Sequence, residues 1–154
     1  MSVKIEQRAR GIAEPFLKAN GCLLWDVIFE KEGAMRYLRI LFDGEDGPPD
    51  LDKCEELTLP LNRLMDSEDF IKEVDIVEIG SPGLSRRLRR PEHFEACVGK
   101  TVKISKRAVN GKCETVTGVL TGFDVGRGAV ITDKSEFSLK ECIRITLQPE
   151  EQHK

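Results

Sequence analysis

Residues 74–90 read VDIVEIGSPGLSRRLRR. Val74 to Ile79 is strand-like, and Gly80-Ser81-Pro82-Gly83-Leu84 is rich in turn residues. Pro82 presets φ near −65° and Gly83 can take a positive φ, the two requirements of a type II turn. Arg86, Arg87, Arg89 and Arg90 then place four arginines in five positions. The texture of the chain changes across this stretch. Helical periodicity and acidic charge precede it; short alternating strands and basic charge follow. The expected organisation is therefore an acidic α+β domain over 1–80 and a segment 81–90 holding the turn and an arginine-rich linker. A basic β-barrel domain over 91–147 and a frayed tail over 148–154 complete it.

On the N-terminal side, Ile5, Ala9, Ile12, Ala13, Phe16 and Leu17 recur at helical spacing, which predicts an amphipathic helix over 3–19. Pro15 should kink or restart it, and Asn20-Gly21 should stop it. Leu24–Glu30 and Arg36–Asp43 read as a strand hairpin, with Trp25, Val27 and Phe29 on one face of the first strand and Leu38, Ile40 and Phe42 on one face of the second. After the loop 44–49, Asp50 is a candidate N-cap. Leu51, Cys54, Leu57, Leu61, Leu64 and Met65 predict a second helix, which Pro60 should bend. With the strand before Gly80, the order is α-β-β-α-β, helices covering one face of a sheet.

On the C-terminal side, Pro91–Val98 predicts one short helix. Lys100–Arg107, Glu114–Phe123, Gly128–Thr132, Glu136–Leu139 and Ile143–Leu147 predict short strands punctuated by Gly, Asn and Asp. Strands at this spacing suggest a small closed β-barrel.

The chain has 154 residues, 40% hydrophobic and 33% charged, enough apolar content for a packed core. No apolar run approaches the ~20 residues of a membrane span, and the charged start carries no secretion signal, so the cytoplasm is expected. The formal net charge of −3 hides an asymmetry. Residues 1–80 hold ten Lys/Arg against eighteen Asp/Glu; residues 81–147 hold thirteen against seven. The basic half is the candidate for a polyanion.

Catalytic chemistry finds no footing. Cys22, Cys54, Cys97, Cys113 and Cys142 are odd in number and never closer than sixteen residues, which disfavours a disulfide framework or a CxxC zinc site. They read as reduced and mostly structural. Cys97 and His93 are four apart, yet nothing supplies the orienting group or oxyanion site of a nucleophile pair, so a structural cysteine and a surface histidine are expected. Asp43, Glu45, Asp46 and Asp50 lack calcium-loop spacing and read as a solvated loop. No phosphate-loop, dinucleotide or zinc-protease motif is present. No catalytic residue, metal or cofactor is expected, and a hydrolase is disfavoured.

The candidate binding residues are Arg86, Arg87, Arg89 and Arg90 with Lys103, Lys106, Arg107 and Lys112. Guanidinium is always charged and forked to fit phosphate oxygens. The lysines alternate with apolar residues as on a strand with one wet face. Phe94, Phe123 and Phe137 suit a core, so backbone and shape recognition is expected over base stacking. The bland alternative is a solvated linker.

The stretch from Val77 to Leu88, centred on Ser81-Pro82-Gly83-Leu84, resembles the signature of the ribosome maturation factor RimP family, whose usual form is roughly V-S-S-P-G-L-D-R-P-L. The opening helix with its proline, the hairpin around Trp25 and Phe42, the G-x-x-D-x-x-x-C run ending at Cys54 and Val98-Gly99-Lys100 are also similar. Within the signature, Gly80 stands where serine is common, Ser85 where aspartate is usual and Arg87 where proline is usual. The resemblance implies a KH-like N-terminal domain and an SH3-like or Sm-like barrel. It implies a non-enzymatic, monomeric bacterial factor that matures the small (30S) subunit through 16S rRNA and a small-subunit ribosomal protein near the decoding centre. The alternative is an Sm-like RNA-binding regulator of small RNAs, which would assemble as rings.

Overall fold

The computed structural model of the chain describes residues 2–108 and 110–149. The chain divides into two compact units, Met1–Pro82 and Gly83–Lys154, each with its own sheet. The architecture is α+β.

The first unit runs α1 (Ser2–Ala19), β1 (Cys22–Glu32), β2 (Met35–Gly44), α2 (Leu51–Asp66), a 3-10 turn (Asp69–Glu73) and β3 (Ile76–Gly80). Its sheet has the order β1-β2-β3. β1 and β2 are antiparallel around a two-residue turn, Gly33-Ala34. Gly33 has φ 63° while Ala34 stays on the negative side, the pattern of a type II′ turn. β2 and β3 are parallel, because the intervening α2 returns the chain to the same end of the sheet.

Period and packing agree on one sheet face. Leu38, Ile40 and Phe42 are fully buried beneath Ile5, Ala9, Ala13 and Leu17 of α1 and Leu57, Leu61 and Met65 of α2. Each helical set repeats every four residues, so each helix presents one straight row. Leu51 and Leu64, expected in the α2 row, fall off it and are exposed. Both helices remain continuous through Pro15 and Pro60, so α1 is not restarted there. Asp50 caps α2 as expected, its carboxylate accepting from the Lys53 amide at 2.7 Å.

The period-two expectation for β1 fails at Trp25. The register with β2 shifts between Leu24 and Asp26, a bulge that changes which parity faces the core. Cys22 and Leu24 face inward before it, Val27 and Phe29 after it, and Trp25 is not part of the core.

On the opposite face, Arg39 of β2 joins all three strands. Its guanidinium meets Glu30 and Glu32 of β1 and Glu78 of β3, and lies over the Tyr37 ring, 4.4 Å from the centroid. At the start of β3, the Asp75 carboxylate accepts from the Arg36 amide at 2.8 Å and pairs with its guanidinium, while the Asp75 amide donates back to the Arg36 carbonyl at 2.9 Å.

The second unit runs α3 (Pro91–Ala96), β4 (Thr101–Arg107), β5 (Cys113–Asp124), β6 (Ala129–Thr132), β7 (Glu136–Ser138), a 3-10 turn (Leu139–Glu141) and β8 (Cys142–Leu147). The antiparallel sheet has the order β7-β6-β5-β4-β8. β5 pairs with β4 in its first half and with β6 in its second, across a register shift between Leu120 and Gly122. Val102, Ile104, Leu120, Val130, Phe137 and Ile145 are buried, and Phe94 stacks on Phe123 with centroids 4.6 Å apart.

The expected linker 81–90 is, from Gly83 onward, part of this unit. The Leu88 amide donates to the Ile145 carbonyl at 2.8 Å, the Leu147 amide to the Arg86 carbonyl at 2.8 Å, and Arg87 forms an antiparallel bridge with Thr146. The segment thus lines the side of β8 away from β4, and Leu88 is 2% exposed. An apolar residue within the arginine run gave it a reason to dock. Of the expected frayed tail 148–154, the Gln148 amide donates to the Thr101 carbonyl at 2.9 Å, and residues 150–154 lie outside the described residues.

Two outcomes follow. A fragment beginning at residue 83 should unfold cooperatively in urea. One beginning at residue 91 should be less stable by about 3 kcal/mol, having lost the Leu88 side chain and both backbone bonds to β8. Equal stability would show that the segment does not dock. Second, the bonds from Arg36 hold the Asp75 carboxyl below the usual aspartate value. A depressed carboxyl stabilises the fold above its unfolded pKa, and that contribution disappears as pH falls through the lower folded value. Denaturant titrations below about pH 4 should therefore show a shallower acid loss for Asp75→Asn than for the parent.

Candidate nucleic-acid interface

The eight candidate cations fall into three groups. Arg86 and Arg87 lie on the segment that pairs with β8, while Arg89 and Arg90 lead into α3. All four are half-buried rather than fully exposed. The Arg86 guanidinium donates to the Gly83 carbonyl at 3.1 Å. Gly83 has φ 81°, in the left-handed region that favours glycine. The turn itself falls on Leu84-Ser85 and not on Pro82-Gly83, where a type II turn was expected, and Leu84 is exposed.

His93 holds the backbone of the next two arginines. Its Nδ1 accepts from the Arg89 amide at 3.0 Å and from the Arg90 amide at 3.1 Å. The ring is 1% exposed, so the expectation of a surface histidine is overturned. α3 begins at Pro91, whose missing amide needs no partner. The imidazole folds back from the third helical position to satisfy the two amides just before it. Spacing showed His93 and Cys97 to be neighbours on a helix; it did not show that the ring turns toward the helix start.

The second group lies on β4. Val102 and Ile104 point into the core, so Thr101, Lys103, Ser105 and Arg107 point the other way. Register extends this outer face across neighbouring strands. Lys103 sits opposite Thr117 of β5 and Thr146 of β8; Ser105 sits opposite Thr115 and Arg144; Arg107 sits opposite Cys113. Thr146 in turn faces Arg87. None of these positions carries a carboxylate. Lys134 joins them from the side, its Nζ donating to the Thr117 carbonyl at 3.1 Å. Among the described residues, Lys103, Arg107 and Arg144 have no ion-pair partner.

Lys106 belongs elsewhere. It is on the inner side of β4, with its ammonium 5.4 Å from the Phe137 ring centroid and 4.0 Å from the Glu114 carboxylate. Lys112 is exposed at the β4–β5 hairpin, where its amide donates to the Asn110 side chain at 3.0 Å. Arg144 and Lys134 were not legible as candidates. The pattern Ile143-Arg144-Ile145 carries the alternation, but only the pairing of β8 with β4 puts Arg144 beside Lys103.

Other reactive groups are quiet. All five cysteines are free thiols. Burial raises the pKa of Cys22, Cys54, Cys97 and Cys142, which keeps them protonated and poorly nucleophilic. Glu45, Asp46 and Asp50 line an open groove of about 680 Å³ with Asp52, Lys53 and Glu56. Among the described residues, no three His, Cys, Asp or Glu side chains converge as metal ligands.

His93→Ala should leave two amides without an acceptor and a hole beneath them. The expected loss is about 2–4 kcal/mol in chemical denaturation. A variant as stable as the parent would show that the ring does not hold residues 89 and 90.

Residues 12–85 match the family model of the RimP N-terminal domain. The match begins within α1, covers β1, β2, α2 and β3, and runs through Ser81-Pro82-Gly83-Leu84 to end just before Arg86. The chain thus carries a RimP N-terminal domain over just under half its length.

Proposed function

We propose that the protein is a non-enzymatic assembly factor for the small (30S) ribosomal subunit. It binds the free subunit or its precursor through 16S rRNA and a small-subunit ribosomal protein near the decoding centre. The observation that carries this reading is the joining of a RimP N-terminal domain to a second unit whose Lys103, Arg107 and Arg144 lack carboxylate partners. The site is electrostatic: arginines 86, 87, 89 and 90 with Lys103, Arg107 and Lys112 meet phosphates. Lys106, turned inward, supports the strand instead.

The first unit is read as KH-like and the second as SH3-like. The α-β-β-α-β order of the first supports the former. The latter is supported by a five-stranded antiparallel order with β4 beside β8, a long β5 shared between two pairings, and a 3-10 turn before the last strand. The protein acts as a bacterial monomer in the cytoplasm, and no helix among the described residues is long and apolar enough to cross a membrane.

The parent protein should co-sediment with small-subunit precursors and not with complete ribosomes. Arg89→Ala with Arg90→Ala should weaken precursor binding and flatten its log–log salt dependence by about 1.4–1.8, at ~0.7–0.9 per phosphate contact. Because these side chains are half-buried, the melting temperature is followed in parallel. A folded double variant with an unchanged salt slope would overturn the phosphate role of these two arginines. Absence from the precursor fractions would overturn the function.

A further inference from the structure

We propose that the outer face of β5-β4-β8 is a docking surface for the sugar–phosphate backbone of double-helical RNA. This rests on the reading of the second unit as the polyanion-binding half, and it names which face does so and which nucleic-acid form it takes. Arg87, Thr146, Lys103 and Thr117 occupy four laterally adjacent strands, giving a line about 14 Å long at 4.7–4.9 Å per strand. Arg144 and Arg107 flank that line two and four residues along from it.

Three properties select the occupant. The cations are fixed by strand register rather than carried on a loose loop, so they suit a rigid, repeating array of phosphates. Hydroxyl side chains alternate with them, and a hydroxyl both donates to phosphate oxygens and pairs with a ribose 2′-OH. Third, no aromatic ring of the second unit is fully exposed among the described residues. Phe94 and Phe137 are buried, Phe123 is stacked on Phe94, and the single Trp and Tyr of the chain lie in the first unit. Single strands are held largely by stacking bases on such rings. A face with cations and hydroxyls but no rings favours a form whose bases are already stacked on each other.

The test uses the full chain and two naked RNA probes, a 20-base-pair duplex and an unstructured single strand of the same length, titrated over several salt concentrations. The parent should bind the duplex more tightly than the single strand. Lys103→Ala with Arg144→Ala should weaken duplex binding at least tenfold and flatten the salt slope by about 1.8. Lys100→Ala with Lys140→Ala, outside the face, should leave both unchanged. Thr117→Glu, which places a carboxylate in the line without removing a cation, should weaken the duplex complex in a protein that melts like the parent. Preference for the single strand would overturn the inference. So would unchanged duplex affinity in a folded Lys103→Ala, Arg144→Ala variant. A protein that co-sediments with precursor yet ignores the naked duplex also overturns it, assigning the face to a protein contact, and leaves the proposed function standing.

Discussion

β4 is hydrogen-bonded on both sides, to β5 and to β8, and a strand held that way has only two directions for its side chains. Val102 and Ile104 take the dry one. Lys103, Ser105 and Arg107 are thereby committed to the wet one, and the pairings with Thr117, Thr146 and Arg144 are settled by the same bonds. The cost of burying an unpaired ammonium makes the choice of face strict. Lys106 is the exception. It sits inward but near the strand end, where an aromatic face and Glu114 receive it.

The two units treat charge differently. In the first, Arg39 is surrounded by Glu30, Glu32 and Glu78, and Arg36 by Glu73 and Asp75, so cations join strands of an acidic domain. The three carboxylates around Arg39 would repel one another without it. In the second unit, Arg127 is compensated by Asp124 and Glu136, yet Lys103, Arg107 and Arg144 are left to solvent. Counting residues revealed the asymmetry of sign; it took pairing to reveal which cations are neutralised.

Element types and order were legible because helical rows such as Ile5, Ala9, Ala13 and Leu17 and alternating runs such as Leu38, Ile40 and Phe42 are local signals. What escaped were consequences of contacts distant in sequence. The bulge at Trp25 is set by the partner strand, and a single-strand pattern cannot show it. The docking of Leu88 was hidden because β8, which buries it, lies almost sixty residues on. His93 looked like a surface residue because a short helix with a proline start gives no sign of which way its third side chain turns. For the candidate site, the arginine cluster and Lys103, Arg107 and Lys112 were found by charge density and alternation. Arg144 required the β4–β8 register.

Core and outer face on β4 are the even and odd positions of one strand. A slip of one residue in its pairing would turn Val102 and Ile104 to water and Lys103 toward the interior at the same moment. A mispaired molecule would therefore lose its basic surface as it acquired an apolar one. The packed core and the basic outer face of this unit therefore form in one event, so a copy with the wrong register cannot present that face at all.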